Sequence, residues 1–337
     1  MRRYSLLATL VFSCIAFTAL QSCKRSNGID NNSVIKTPYG LLVGSNAGAL
    51  LNTNDGTNYT TLFPSDRFPF RAITTSGNNI LFVKANVHLS ENNGHNFNPT
   101  YVGYVPPSAH WQNVIWTAED QSRVYLCSTE PSSNGVVFSE NDGKKWKNDA
   151  WDQGVSGGMI TSITQLKSGT LFAFSDINDS LYRKDNKTAN WTHAMPGVQM
   201  PTGTSYLSRF NNTLLLTDYL GVNGVQYSND NGQTWSKYTG TPINAKLLCT
   251  NAPLDMVLLV GTDSMGVYRL ENGVFVQSNT GLENNTSVYA IAGKVDIYKN
   301  ELTKRYIYLA TNKGVYRSED GGFNWALMLT GDFGALY

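Results

Sequence analysis

The octapeptide Ser228–Trp235 (SNDNGQTW) decides the fold, because variants of its pattern, Ser-x-Asp-x-Gly-x-x-Trp, return along the whole chain. Seven copies start at residues 52, 90, 139, 184, 228, 270 and 318, so successive starts are 38, 49, 45, 44, 42 and 48 residues apart. The copies at 90, 139 and 318 are close, whereas those at 52, 184 and 270 are weaker. Such a period is typical of radially or linearly stacked units, each too small to bury its own apolar face.

Each copy, called an octad below, sits among four short apolar runs. In the last unit these are Val288–Ala292, Tyr306–Ala310, Gly314–Arg317 and, after the turn, Trp325–Leu329. Runs of this length, rich in Val, Ile, Leu, Tyr and Thr and bounded by Gly, Asn, Asp or Ser, indicate strands. The sequence therefore predicts an all-β, seven-bladed β-propeller with four antiparallel strands per blade. We label these strands A (innermost) to D (outermost), so each octad is a C–D turn.

Two segments compete for strand A of the first blade. One is Ser33–Thr37 (SVIKT), and the other is the C-terminal Phe333–Tyr337 (FGALY), which would clasp the ring. The tail has the pattern of an A strand, which favours the clasp.

The octad has the chemistry of a tight turn. Asp or Asn at its third position can accept backbone N–H groups, and Gly at its fifth position supplies a positive φ. Asn often replaces the acid without compensation, so a structural role is expected rather than calcium binding. The terminal aromatic residue is expected to cover a seam between blades. These structural positions are Asn54, Asn92, Asn141, Asp230, Asp320, Gly56, Gly94, Gly143, Gly232, Gly322, Trp146, Trp191, Trp235 and Trp325.

The N-terminus has the pattern of a secretory signal: a positive head, an apolar stretch and a small residue before the cut. Leu20–Cys23 (LQSC) resembles the lipobox of bacterial lipoproteins, which implies cleavage after residue 22 and acylation of Cys23. Two or more acyl chains anchor stably. Lys24 after the cysteine favours sorting to the outer membrane. We therefore expect a lipoprotein signal peptide at 1–22, a polar tether at 23–32 and the propeller at 33–337.

Composition excludes several classes of protein. After removal of Arg2 and Arg3 with the signal, 24 basic residues face 25 acidic ones, and no Lys/Arg cluster occurs. This balance argues against nucleic-acid or nucleotide binding. The four histidines lack metal-ligand spacing, so neither a metal nor a cofactor is expected. Cys127 and Cys249 fall in blades that are not neighbours, which makes a disulfide between them geometrically unfavourable.

The octads resemble Asp-box (BNR) repeats, and all seven blades take part. Families that share this unit include sialidases, xyloglucan-cleaving tandem-propeller glycosidases, sortilin-type receptors and propellers of the photosystem II assembly-factor type. The resemblance implies that the Asp-box is a scaffold element away from the ligand face. Ligands would then meet the opposite face, which is built by the B–C and D–A loops. The resemblance supports the fold more than the function.

A sialidase needs three arginines around one carboxylate. Arg183, Arg269 and Arg317 share one position on strand C beside the octad, so they are expected on the face opposite the ligand. Only Arg67 and Arg71 are expected to reach the ligand face. A glycoside hydrolase needs only two carboxyl groups. The ligand-side loops supply several that are more often turn caps: Asp66, Glu130, Asp152, Asp176, Asp179, Asp218 and Asp263.

The connection Asn98–Trp111 (NPTYVGYVPPSAHW) is the loop richest in aromatic residues and prolines. Aromatic faces beside carboxylates are suited to binding sugars or a protein segment. The alternative is that these side chains merely pack over the seam between blades 2 and 3. The sequence thus predicts a membrane-anchored lipoprotein facing the periplasm that acts as a non-catalytic binding or assembly platform for a protein or glycan. The alternative is a glycoside hydrolase acting at the same face. The candidate ligand-face residues are Arg71, Tyr101, Tyr104, Trp111, Trp151, Asp152 and Asp218.

Overall fold

The computed structural model describes residues 40–54, 56–84, 86–100, 115–117, 122–127, 135–153, 155, 159–175, 179–194, 205–242, 245–297 and 303–337. Nearly all of them belong to one body, formed by Lys36–Asp296 and Lys304–Tyr337. The second unit, Met1–Ile35 with Ile297–Thr303, contributes only residues 297 and 303 to the described part.

The described residues form seven sheets, each of four strands that are hydrogen-bonded in series. We number the sheets as blades 1 to 7 in chain order. In blade 1 the innermost strand comes from the C-terminus, and the other six blades are each built from four consecutive strands. From the innermost strand outward, blade 1 consists of β28 (Phe333–Leu336), β1 (Leu41–Ser45), β2 (Leu50–Thr53) and β3 (Thr60–Phe63), and blade 2 of β4 (Ala72–Ser76), β5 (Asn79–Val83), β6 (Val87–Ser90) and β7 (Asn98–Pro99). Blade 3 consists of β8 (Ile115–Thr117), β9 (Val124–Cys127), β10 (Val136–Ser139) and β11 (Lys147–Asn148), blade 4 of β12 (Ser162–Gln165), β13 (Leu171–Ser175), β14 (Ser180–Lys184) and β15 (Thr192–His193), and blade 5 of β16 (Ser205–Phe210), β17 (Thr213–Asp218), β18 (Val225–Ser228) and β19 (Ser236–Lys237). Blade 6 consists of β20 (Leu247–Asn251), β21 (Leu259–Thr262), β22 (Val267–Glu271) and β23 (Val274–Gln277), and blade 7 of β24 (Val288–Ile297), β25 (Thr303–Thr311), β26 (Gly314–Ser318) and β27 (Ala326–Thr330).

The prediction of a seven-bladed, all-β propeller with four antiparallel strands per blade is confirmed. Burial is greatest in the B strands and least in the outermost D strands. Every residue of the B strands β1, β5 and β13 is buried, whereas both residues of the D strands β7, β11 and β19 are exposed. The near-continuous apolar runs of the B strands follow from this position, because both of their faces pack against neighbouring blades.

The ring is closed by the C-terminal clasp. Strand β28 pairs antiparallel with β1, with Val43 opposite Leu336. Just beyond it, Leu42 and Tyr337 exchange two backbone hydrogen bonds of 2.8 and 3.0 Å. The last strand therefore takes the innermost place in blade 1, and Ser33–Thr37 lies outside the described residues.

The core lies in the seams between blades. One cluster packs Leu81 and Val83 of blade 2 against Val124 and Leu126 of blade 3, with Trp146 alongside. Equivalent clusters join the other neighbouring pairs, as where Leu259 of blade 6 meets Leu309 of blade 7. A unit of about 44 residues thus buries its apolar faces only between neighbours, which is the property of repeat architectures.

Blade 6 departs most from the sequence-based boundaries. Its B strand covers Leu259–Thr262 and not the whole apolar run Met256–Val260, because a short 3₁₀ turn at Pro253–Asp255 occupies the preceding segment. Its shortened octad is a two-residue hairpin in which Asn272 and Gly273 have φ values of 50° and 84°. Both residues of a type I′ turn need positive φ, and Asn-Gly is the preferred pair.

Blade 7 has the longest A and B strands among the described elements. β24 has 10 residues and β25 has nine, against three to six in the A and B strands of the other blades. Strand β25 therefore begins three residues before the apolar run Tyr306–Ala310 and includes Arg305.

Candidate ligand-binding face

Antiparallel order within each blade separates the connections into two sets. The B–C and D–A loops leave from one set of strand ends, and the A–B turns and octads leave from the other. In every blade, the loops expected to bind a ligand therefore lie at the strand ends opposite the octads.

The octad is a closed hydrogen-bonding unit. In blade 5 the Ser228 hydroxyl donates to Asp230 Oδ1 at 2.7 Å and accepts the Gly232 N–H at 2.8 Å. The carboxylate in turn accepts the Thr234 N–H at 2.9 Å and the Thr234 hydroxyl at 2.5 Å. In blades 2, 3 and 7 the octad glycine N–H likewise donates to the serine hydroxyl, at 2.8 to 2.9 Å.

Hydrogen bonds keep the two octad aspartates ionised. The pKa of Asp230 is lowered to about 2, and the largest cause is the hydrogen bond from the Thr234 hydroxyl. For Asp320, partial burial acts in the opposite direction, but bonds from the Asn324 side chain and backbone outweigh it and the pKa is about 2. Where the third residue is Asn, as at Asn92 and Asn141, the amide oxygen accepts the same backbone N–H, from Asn96 and Lys145 respectively. These groups serve the turn.

Octad glycines touch the preceding blade. All five have φ between 77° and 90°, and a methyl group at Gly143 would lie 2.2 Å from Leu81 Cδ2. In blades 2, 3 and 5 the residue before the glycine is also left-handed, namely Asn93, Asp142 and Asn231. The glycines are Gly56, Gly94, Gly143, Gly232 and Gly322.

The octad of blade 1 is shifted by one residue. Thr53 Oγ1, and not the side chain of Asn52, accepts the Gly56 N–H at 2.9 Å. The Asn52 amide oxygen instead accepts the Gly40 N–H at 2.8 Å. Asn54 contributes its backbone carbonyl, which accepts a 2.7 Å bond from Lys294 of blade 7.

The four octad tryptophans pack in the seams. Trp146 packs in the seam of blades 2 and 3, and Trp191 in that of blades 3 and 4. Trp235 and Trp325 take the equivalent places between blades 4 and 5 and between blades 6 and 7.

Blade 4 replaces the octad serine with Lys184, which forms a buried ion pair. Its ammonium lies 2.6 Å from Asp149 of blade 3, and the two side chains are 1% and 3% exposed. The second oxygen of Asp149 accepts the Trp191 indole N–H at 2.8 Å. Burial lowers the pKa of Lys184, although Asp149 opposes that shift. This pair was not predicted from the sequence, where its only signal is a lysine at a serine position.

A second buried lysine fixes the ligand-face corner of blades 1 and 2. Lys84, whose side chain is 1% exposed, pairs with Asp66 and donates to the Gly48 carbonyl at 2.8 Å. Its ammonium also lies over the rings of Phe63 and Phe70, at 4.9 and 4.6 Å. Partial burial works against ionisation of Asp66, but the bond from Lys84 prevails and lowers its pKa.

The loop between β3 and β4 exposes one aromatic side chain and two arginines. Phe68 is 59% exposed, and both Arg67 and Arg71 are exposed. Within the described residues neither guanidinium has a carboxylate partner. Arg67 holds φ at 71°, an uncommon conformation for a non-glycine residue, and its N–H donates to the Ala47 carbonyl at 2.9 Å. Such a held conformation motivates a functional hypothesis for this corner.

Two candidate acids at this face, Asp218 and Asp152, accept hydrogen bonds. Asp218 is 3% exposed, and its two oxygens accept the N–H groups of Leu220 at 2.9 Å and Asn223 at 2.8 Å. Asp152 is exposed and accepts a 3.1 Å bond from the Asn190 side chain. Neighbouring Trp151 packs against Trp191 in the seam, with ring centroids 5.6 Å apart. Cys23, Tyr101, Tyr104, Trp111, Glu130 and Asp176 lie outside the described residues.

The strand C arginines lie at the octad ends of their strands, and each pairs with the acid two residues later. The pairs are Arg183–Asp185 at 2.6 Å, Arg269–Glu271 at 2.7 Å and Arg317–Glu319 at 2.7 Å. No group of three or more His, Cys, Asp or Glu side chains suited to a metal ion occurs within the described ranges. That part of the chain also has no helix long and apolar enough to cross a bilayer.

Comparison with solved structures gives the same fold. A structure of streptogramin B lyase matches with a TM-score of 0.60 and 15% identity over 85% of this chain and 93% of that one. YCF48 bound to D1 peptide matches with a TM-score of 0.57 and 12% identity over the same shares. The GH74 xyloglucanase from Xanthomonas campestris matches with a TM-score of 0.57 and 13% identity over 77% of this chain but only 45% of its own. No family model and no curated protein sequence matches.

Proposed function

We propose that the protein is a membrane-anchored lipoprotein whose propeller is a non-catalytic platform for binding or assembling a protein or glycan. The observation that carries the proposal is the corner of blades 1 and 2, where a loop fixed by buried Lys84 exposes Phe68 and two arginines that have no carboxylate partner among the described residues. Exposed aromatic and arginine side chains on a preorganised loop are typical of recognition sites. The octads are proposed to be Asp-box repeats that serve only as scaffold.

Partner recovery tests the corner. The full-length, membrane-tethered protein is cross-linked and purified as wild type and as Arg67→Ser/Phe68→Ser/Arg71→Ser. We expect the triple variant to lose its partner while keeping its unfolding temperature. Phe323→Ser is the matched control, because Phe323 is a 47% exposed aromatic residue in an octad. Equal loss in both variants, or in neither, contradicts the proposal. Tyr104→Ala/Trp111→Ala tests the aromatic loop in the same way.

The alternative function is a glycoside hydrolase. Purified protein is incubated with a panel of oligo- and polysaccharides, as wild type, Asp152→Asn and Asp218→Asn. Turnover that either substitution abolishes, with unfolding temperature retained, would replace the platform with an enzyme. The retained temperature is needed because Asp218 caps the loop after β17 through two backbone N–H groups.

The anchor is tested separately. We expect Cys23→Ala to move the protein from the membrane to the soluble periplasmic fraction, because acyl chains would supply the membrane affinity. A Cys23→Ala variant that stays with membranes refutes acylation at this position.

A further inference from the structure

Two adjacent loops of blades 5 and 6 expose aliphatic side chains at the ligand-face end. Leu220 and Val222, in the loop between β17 and β18, are 52% and 75% exposed. Met265, in the loop between β21 and β22, is 39% exposed. The backbone between the loops links them, because the Leu247 N–H donates to the Tyr219 carbonyl at 2.9 Å and the Lys246 carbonyl accepts the Asp263 N–H at 3.1 Å.

The blade 5 loop is held rigidly from within. Its two bonds to the buried Asp218 carboxylate fix the backbone at Leu220 and Asn223, and the Gly221 N–H donates to the Asp218 carbonyl at 2.9 Å. Gly221 has φ of 76°, and a methyl group there would lie 2.4 Å from the Ala245 carbonyl. The exposed aliphatic groups are therefore presented on a fixed backbone.

The blade 6 loop is held in the same manner. The Met265 N–H donates to the Thr262 hydroxyl at 2.9 Å. Its carbonyl accepts bonds from the side chains of Asn279 at 2.8 Å and Gln277 at 3.2 Å. A surface whose backbone is already ordered loses little conformational entropy on binding, which favours its use in recognition.

Lysines give this surface its charge. The Lys237 ammonium donates to the Val222 carbonyl at 3.3 Å, and the Lys246 ammonium lies 5.6 Å from the centroid of the Tyr219 ring. Neither lysine has an ion-pair partner among the described residues. Asp263, a half-buried carboxylate in the blade 6 loop, accepts a 3.3 Å bond from Ser264. Unpaired cations beside aliphatic groups are complementary to carboxylates beside apolar side chains.

We propose that the surface formed by Leu220, Val222 and Met265, with Lys237 and Lys246 at its edge, binds a protein segment in which aliphatic side chains alternate with acidic ones. The aliphatic lining favours a protein over a glycan, since sugars stack on aromatic rings and the Tyr219 ring already has the Lys246 ammonium 5.6 Å from its centroid. The inference rests on the proposed function and adds a second contact with its own chemistry.

Fluorescence anisotropy with three labelled octapeptides tests the inference on the intact protein. The probes alternate Leu with Glu, Leu with Lys, and Ser with Glu. We expect only the Leu–Glu peptide to bind, and its affinity to fall with added salt because the lysines contribute. Leu220→Ser/Val222→Ser should weaken binding by about 10-fold or more, as loss of central contacts does at interfaces. Lys237→Gln/Lys246→Gln should weaken it less and flatten the salt dependence.

Val276→Ser is the matched control, because Val276 is a 46% exposed valine on the outer strand of blade 6. Undetectable binding of the Leu–Glu peptide, equal binding of the three peptides, or equal effects of the control and the loop variants overturns the inference. Two further outcomes would also overturn the inference. If the protein sediments with phosphatidylglycerol–phosphatidylcholine vesicles and Leu220→Ser/Val222→Ser abolishes this binding, the surface binds lipid. If the protein dimerises in analytical ultracentrifugation and the same substitutions abolish the dimer, the surface binds a second copy. If partner recovery at the blade 1–2 corner succeeds while the peptide assay fails, the proposed function stands and only this inference is lost; glycan turnover would instead remove the proposed function.

Discussion

At each octad glycine, a single hydrogen atom stands where any other residue would place a methyl group against the preceding blade. Gly143 and Gly322 share nearly the same φ, 84° and 90°, so alanine costs about 1 kcal/mol of backbone strain at both. They differ in space, because the methyl would lie 2.2 Å from the buried Leu81 in one case and 3.4 Å from Leu259 in the other.

We therefore expect Gly143→Ala to lower the free energy of unfolding by about 1–3 kcal/mol more than Gly322→Ala, because only the former overpacks a seam. Urea unfolding of the two variants measures the difference. Equal losses would mean that the backbone conformation, and not the contact between blades, explains the glycine.

The octad carboxylates make stability depend on pH in acid. The pKa of both Asp230 and Asp320 in the folded protein is about 2, below the unfolded value of about 3.9. Their contribution is therefore complete above about pH 4 and is lost as pH falls towards 2, because the unfolded chain takes up protons first. We expect Asp230→Asn/Asp320→Asn to flatten this decline while keeping the fold, as Asn92 and Asn141 already bond in this way. Urea midpoints between pH 2 and 6 give the slope, and parallel curves for variant and wild type would contradict the assignment.

Among the elements, the clasp strand β28 has the greatest effect on ring closure, since it pairs the end of the chain with the first strand of blade 1. Phe333 and Ala335 are each 5% exposed, and β28 supplies the inner partner of β1. We expect truncation after Asp332 to cost about 3 kcal/mol or more, because it empties a packed site and leaves the β1 edge unpaired. Removal of Tyr337 alone, which deletes two hydrogen bonds, should cost about 1–2 kcal/mol. Thermal unfolding of both truncations measures the difference, and a clasp deletion no worse than loss of Tyr337 would contradict it.

Elements with a strong local signal were predictable, and those defined by distant partners were not. The octads marked every C–D turn because turn chemistry is local: Gly232 needs its positive φ whatever surrounds it. The sequence favoured the tail over Ser33–Thr37 only through its A-strand pattern, because the partner of the tail in β1 is almost 300 residues away. Lys184 was missed for the same reason, since its partner Asp149 belongs to another blade.

For the ring as a whole, the sequence predicted seven blades but not what holds their turns together at the octad end. Asp255, in the A–B turn of blade 6, pairs with Lys167 of blade 4 at 2.8 Å and accepts the Asn211 N–H of blade 5 at 3.1 Å. Leu254 and Asp255 both have positive φ, 55° and 52°. Two consecutive strained residues that reach the turns of two other blades indicate a clamp across blades 4 to 6.

Partial burial of Asp255 opposes ionisation, but the Lys167 bond and the Asn211 N–H prevail and lower its pKa. Asp255→Ala removes the acceptor of the Asn211 amide and leaves Arg209, whose side chain is 15% exposed, without this carboxylate. We expect faster hydrogen exchange at the Asn211 amide and a loss of about 1–3 kcal/mol in the free energy of unfolding. Asp255→Asn keeps an oxygen for the amide and should preserve its protection while losing the charge. If the Asn211 amide exchanges equally fast in both variants, the ionic contacts and not the hydrogen bond hold the turn. If it exchanges as slowly in both variants as in the wild type, Asp255 does not clamp these blades.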